Sequence, residues 1–222
     1  MSRAFLAAAL LSALVAGHLT TEPARAQGAT SVQAQDLPPA YPRPGATSLL
    51  ENDHVIVWDI AWLKQAYPFH RHRYDHVGVY YTSGDRVITS TEGERRPVST
   101  QAWNISFQLA GVTHSEEGAS DEPLRAVFVQ IKRPPRAPGQ PASGQGVFPA
   151  DAPTQRLENE RVTVWEYGDG APGGMSHRHA SDAVVVSFGT DGSPSVRWVD
   201  RGTTHDSDVP SGATRTFVFE IK

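Results

Sequence analysis

Apolar and polar residues alternate along this chain in short runs, broken by clusters of Gly, Pro, Asp and Ser. Period-two alternation between turn residues predicts strands. In the first half these are Val55-Ile56-Val57-Trp58, His76 to Tyr81, Arg86 to Thr89 and Asn104 to Phe107. In the second half Val162 to Trp165, Val184 to Phe188 and Ser195 to Trp198 read the same way, and Gly192-Ser193 marks a tight turn. No segment after the first 26 residues keeps a long helical period. The expected fold class is all-β, as two tandem jelly-roll barrels.

Two barrels are expected because one pattern is written twice. Glu51-Asn52-Asp53-His54-Val55-Ile56-Val57-Trp58 returns as Glu158-Asn159-Glu160-Arg161-Val162-Thr163-Val164-Trp165, and His70-Arg71-His72 returns as His177-Arg178-His179. Gly111-Val112-Thr113-His114 returns as Gly202-Thr203-Thr204-His205, closer to its partner motif than in the first copy. Each copy closes on a similar strand, Val127 to Lys132 and Phe217 to Lys222. Between them, residues 133–150 are rich in Pro, Gly, Ala and Gln and read as a linker. The expected layout is an export signal over 1–26, an N-terminal arm over 27–48, a first barrel over 49–132, the linker, and a second barrel over 151–222. The signal rests on Arg3, the apolar run from Ala4 to Gly17 and the small-x-small Ala24-Arg25-Ala26.

Composition narrows the chemistry. The 222 residues carry 20 Lys+Arg against 24 Asp+Glu, a net charge of −4, so there is no basic field for nucleic acid. Cysteine is absent, which excludes disulfides, thiolate metal sites and a Cys nucleophile. After removal of the signal no run of membrane-spanning length remains, and the product is expected to be periplasmic or extracellular. Its partners would be a small-molecule substrate or ligand, with the chain a monomer or homodimer.

The chemistry lies in the histidines. Seven of nine fall in the repeated motifs. His70, His72 and His76 share one parity, so a continuous strand would aim all three into one barrel, with His114 closing from another wall. Four converging imidazoles read as a metal site for a divalent Fe, Mn, Ni, Cu or Zn ion. His177, His179 and His205 form the second set, where Ala183 stands at the place of His76 and leaves a direction vacant, as a catalytic metal requires. Asp75 has the opposite parity and should point outwards. Tyr80 shares the inward parity of His76 and is the candidate catalytic group. Trp58 and Trp165 read as core, His54 as surface, and the acidic run Glu116, Glu117 and Asp121 as a solvated loop.

His70-x-His72, then His76 and Gly84, followed by Gly111-x-x-His114, resembles the cupin superfamily, and Gly202-x-x-His205 repeats the second motif. The family's Pro before that Gly is missing from both copies, where Leu109 and Asp200 stand, and His76 replaces the usual Glu. The resemblance implies a bicupin with metal in its barrels. Ala183 is similar to the three-His sites of some cupin dioxygenases, including ring-cleaving bicupins of the gentisate dioxygenase type. The opening Glu-Asn-Asp/Glu-x-Val-x-Val-Trp looks like the small cupins grouped with β-alanine degradation proteins. Cupins span many functions, so two expectations stand: an exported metalloenzyme, dioxygenase-like or an isomerase or lyase, and a non-catalytic sensor of a metal or small carboxylate. A third is a structural protein whose metals only staple the barrels.

Overall fold

The computed structural model describes residues 37–135, 153–168 and 176–222. The stretch read as an export signal, the arm before residue 37 and the linker over 136–150 lie outside the described residues. The described residues contain strands and no helix. In the first half these are β1 (Ala46–Glu51), β2 (Val55–Trp62), β3 (His70–Arg71), β4 (Asp75–Tyr80), β5 (Gly84–Thr89), β6 (Arg95–Thr100), β7 (Ile105–Gln108), β8 (Thr113–Gly118) and β9 (Leu124–Ile131). The second half contributes β10 (Thr154–Glu158), β11 (Val162–Tyr167), β12 (Asp182–Phe188), β13 (Pro194–Val199) and β14 (Arg215–Ile221). Strand β1 starts inside the stretch read as an arm, and β8 includes Glu116 and Glu117, which were expected in a loop.

The repeat in sequence is a repeat in topology. One five-stranded antiparallel sheet runs β1-β2-β9-β4-β7 and the other runs β10-β11-β14-β12-β13, the same order position for position. Even the bulge recurs, between Ser48 and Leu50 in one and between Gln155 and Leu157 in the other. The indole N–H of Trp58 donates to Gln130 Oε1 and that of Trp165 to Glu220 Oε2, both at 2.9 Å. In the first half a four-stranded sheet, β3-β8-β5-β6, lies against the barrel interior. In the second, among the described residues, a lone bridge between His177 and His205 stands where β3 meets β8. The shorter spacing between its histidine motifs leaves less chain for a second sheet.

Strand alternation sends each five-stranded sheet into two cores. On one face Val55, Val57, Val77, Val79, Val127 and Val129 meet Val162, Val164, Val184, Val186, Phe217 and Phe219 in one continuous cluster, so the two sheets pack on each other. On the other face Ile60, Trp62, Tyr80, Ala126 and Phe128 fill the first barrel, and Ala183, Val185, Val199 and Val218 fill the second. This is why β4 and β12 are buried along their whole length.

Asp75 points out of its own barrel, as its parity requires, but into the contact with the second. Arg161 Nε donates to its Oδ2 at 2.5 Å, with both side chains largely buried. At the equivalent place Asp182 receives Arg133 at 2.5 Å. His54, expected on the surface, is half-buried and stacks on Trp198 at 5.4 Å. Removing one partner of a buried pair strands the other charge, at a cost of about 3–5 kcal/mol. Arg161→Leu should therefore lower the unfolding free energy in urea by about that amount, and a loss below about 0.5 kcal/mol, as at an ordinary surface site, would show that the pair does not hold the barrels together.

Candidate metal centre

The first histidine set is assembled by the register of two short strands. Pairing of β3 with β8 sets His70 opposite His114. The turn at Gly111, whose φ of 87° favours glycine, sends its N–H to the carbonyl of His72 at 2.7 Å. Gly202 repeats this with His179 at 3.0 Å, so the Gly-x-x-His motif is tied by its backbone to the His-x-His motif in both halves. The ligand atoms of His70, His72 and His114 all lie within 4.8 Å of one another.

The nitrogens of this set fit a cation. His70 Nδ1 donates to the Pro68 carbonyl at 3.1 Å, which leaves the lone pair on Nε2, buried without a hydrogen-bond partner. His72 Nε2 and His114 Nε2 stand 3.4 Å apart. Two imidazole nitrogens on one tetrahedral ion at ~2.05 Å would be separated by roughly that distance. Burial lowers His70 from its ordinary value and, with the neighbouring imidazoles, pulls His72 down to about 2. Burial also takes His114 down to about 4. The set is thus held neutral, the form that binds metal.

His76 stands beside this group and not within it. The continuous strand expected from His70 to His76 is broken, with His70 on β3 in one sheet and His76 on β4 in the other. Its ring lies 4.6 Å from that of His72 and stacks on Phe128 at 4.9 Å, with Nδ1 buried and unpartnered. Gly78 makes room for this stack, since a Cβ there would meet Phe128 Cδ1 at 1.7 Å. Tyr80 follows on the same face, and burial raises its hydroxyl above the ordinary value, so it remains protonated. His72, His76, His114 and Tyr80 line a cavity of about 70 Å³.

Arg86 and Glu116, which the sequence reading left unassigned to any site, line the same cavity. Burial alone would raise Glu116, but Arg86, Arg43, His114 and the Trp62 indole hold it below its ordinary value as a carboxylate. Parity could have found Glu116, because it lies two residues after His114 on a strand whose alternate positions are buried.

The second set is built differently. His177 and His205 exchange backbone hydrogen bonds at 2.9 and 3.0 Å, and all three imidazoles aim at Asp208. Its carboxylate lies 2.8 Å from His177 Nε2, 3.1 Å from His179 Nε2 and 2.9 Å from His205 Nε2, and also accepts from Tyr167. Glu220 holds the far side of His179 at 3.2 Å. Burial would lower His179, but its bonds to Asp208 and Glu220 overcome this and raise it to about 9. Burial would raise Asp208, yet the surrounding imidazoles hold it well below the carboxylate range. Ala183 is buried at the place of His76 as expected, but Asp208 brings a carboxylate into the set that was expected to have an open direction. His177, His179, His205 and Asp208 offer a donor set that would suit a transition metal. Their nitrogens already stand at hydrogen-bond distance from an anion of the same chain, whereas in the first set His114 Nε2 is 3.9 Å from Glu116.

No family model matches the chain, and no curated protein matches it. Among solved structures it is similar to a cupin domain from Bordetella pertussis Tohama I, with 27% identity over 42% of this chain and 99% of that one and a TM-score of 0.37. A cupin 2 conserved barrel domain protein from Leptotrichia buccalis is 12% identical over 80% of this chain and 88% of its own, with a TM-score of 0.46. AerE from Microcystis aeruginosa is 11% identical over 81% and 98%, also at 0.46. The chain is thus similar to cupin-domain proteins, the family that its His-x-His and Gly-x-x-His motifs resemble.

Removing Asp208 would leave two buried imidazoles, His177 and His179, and the half-buried His205 without their shared acceptor. Asp208→Ala should cost the metal-stripped protein about 3 kcal/mol in urea unfolding, while the variant as purified still carries at least one metal ion per chain by mass spectrometry. An unaltered urea midpoint would show that the carboxylate does not hold this centre together.

Proposed function

We propose that this chain is an exported metal-binding bicupin whose first barrel is the working site of a metalloenzyme acting on a small oxygen-bearing substrate. Dioxygenase chemistry is the leading reaction class, with isomerase or lyase chemistry behind it. One contrast carries this reading. The imidazoles of the first barrel are neutral, have unpaired nitrogens and adjoin a cavity, whereas those of the second are matched by Asp208. Export rests on the residue pattern of 1–26.

In the first barrel His70, His72 and His114 would hold a divalent iron, manganese, nickel, copper or zinc ion, with His76 beside them. Such an ion supplies Lewis acidity towards a substrate oxygen, and electron transfer if it is redox-active. The protein's own groups do the rest. The wall of Trp62, Tyr80 and Phe128 limits water at the site, and the protonated Tyr80 hydroxyl is placed to donate a hydrogen bond, not to take a proton. In the second barrel a metal would act as a staple.

A second reading is favoured by the small size of the cavity, about 70 Å³: a periplasmic sensor that binds a metal or a small carboxylate without turning it over. Oxygen uptake with catechol-like and β-diketone substrates would establish the dioxygenase form of the first reading, and conversion of a bound substrate to product, followed by mass spectrometry, separates any enzyme from a sensor that returns its ligand unchanged.

The purified full chain should carry at least one first-row metal ion. His72→Ala should lower both metal content and melting temperature, because metal binding contributes folding free energy. Wild-type metal content in that variant would remove the first barrel from the proposal.

A further inference from the structure

The cavity beside the first histidine set is lined by a largely buried cation, Arg86, that metal binding does not explain. Two guanidinium groups, Arg43 and Arg86, flank the Trp62 ring at 5.2 and 4.8 Å. Among the described residues, the carboxylate of Glu116 lies beside both, its oxygens 3.6 Å from each, too far for a hydrogen bond. All three side chains are largely buried. Glu116 therefore leaves Arg86 Nε buried without a hydrogen bond at the cavity wall, a costly arrangement unless an acceptor enters.

The hydrogen-bond inventory points the same way. Arg86 Nε and Gln108 Nε2 are buried donors without partners, and both residues line the cavity. Tyr80 sits at the ring-to-cation distance of 5.2 Å from Arg86. The unpaired groups on this wall are donors and imidazoles, which call for a ligand rich in acceptors. The volume, about 70 Å³, is that of about two waters at ~30 Å³ each, so the ligand is small. An outer cavity of about 310 Å³ shares Ile88, Gln108 and His114 with the inner one and provides a way in.

The second barrel serves as an internal control. There Ala183 and Ser187 occupy the places of His76 and Tyr80, opposite equivalent residues of the neighbouring strand, and Ser207 stands two residues after its last histidine where the first barrel has Glu116. The second barrel instead has Asp208 at its histidines with Arg197 3.7 Å away, so the His76, Tyr80 and Glu116 arrangement is not a requirement of the fold.

We propose that Arg86, supported by Arg43 behind Trp62 and by the Tyr80 hydroxyl, binds the carboxylate of a small anionic ligand in the first barrel, next to His72 and His114. This deepens the functional reading above and rests on it for the role of the histidines. A planar carboxylate matches the guanidinium fork, and a second oxygen on the same molecule reaches the histidine side.

Calorimetric titration of the full chain, metal-loaded and metal-stripped, with glycolate, with its neutral analogue glycolamide and with inorganic phosphate tests this. Glycolate should bind both forms, at least tenfold more tightly than glycolamide or phosphate. Arg86→Gln should weaken glycolate binding at least tenfold at wild-type metal content, Arg86→Lys should restore part of it, and Tyr80→Phe should cost a few-fold. Should Arg86→Gln fail to fold, Tyr80→Phe and the glycolamide comparison decide. Equal binding of glycolate and glycolamide, a preference for phosphate, or glycolate binding that survives Arg86→Gln and disappears with the metal would each overturn the carboxylate site. The last result would leave the metal reading intact, whereas wild-type metal content in His72→Ala removes the metal reading alone.

Discussion

Two-sided burial of the five-stranded sheets is the constraint from which the rest follows. Every strand in the middle of these sheets has one face in its own barrel and the other in the seam between barrels. A slip of one residue in register would move His76 and Tyr80 into an apolar seam and bring valines into the cavity. The valine seam therefore does more than join the halves. It fixes which parity of β4 and β9 faces the histidines, and so holds the site in place from behind.

On that common frame the two barrels solve the problem of buried imidazoles in opposite ways. The second supplies its own anion: Asp208 takes hydrogen bonds from three rings, and Glu220 takes one more. The first keeps its rings neutral by burial and leaves nitrogens unpaired, a cost that a bound cation would offset. Side-chain sizes follow the same division. Gly78 and Phe128 in the first barrel occupy the places that Val185 and Val218 take in the second, so the first carries a flat ring beside its histidines and the second carries aliphatic filling. A duplicated sheet thus bears one open and one closed centre.

Much of this was legible in the residues alone. Strand alternation gave the all-β class, the recurrence of Glu-Asn-x-x-Val-x-Val-Trp and His-x-His revealed the repeat, and parity marked His70, His72, His76 and Tyr80 as inward-facing. These are local properties with short periods, and a linear sequence records them directly. The same parity could also have found Glu116, had β8 been recognised as a strand.

What only the tertiary structure decided depends on chain segments far apart meeting in space. The break between β3 and β4 places His76 beside the other three histidines and not among them. Asp208 enters the second centre from an irregular segment whose direction no periodicity records. Arg86 and Glu116 line one cavity from two separate strands, with Arg43 from a third segment over the Trp62 ring, so their meeting is invisible until the barrel closes. Hydrophobic period is written residue by residue, but the balance of buried charge is a sum over neighbours that only the folded chain defines.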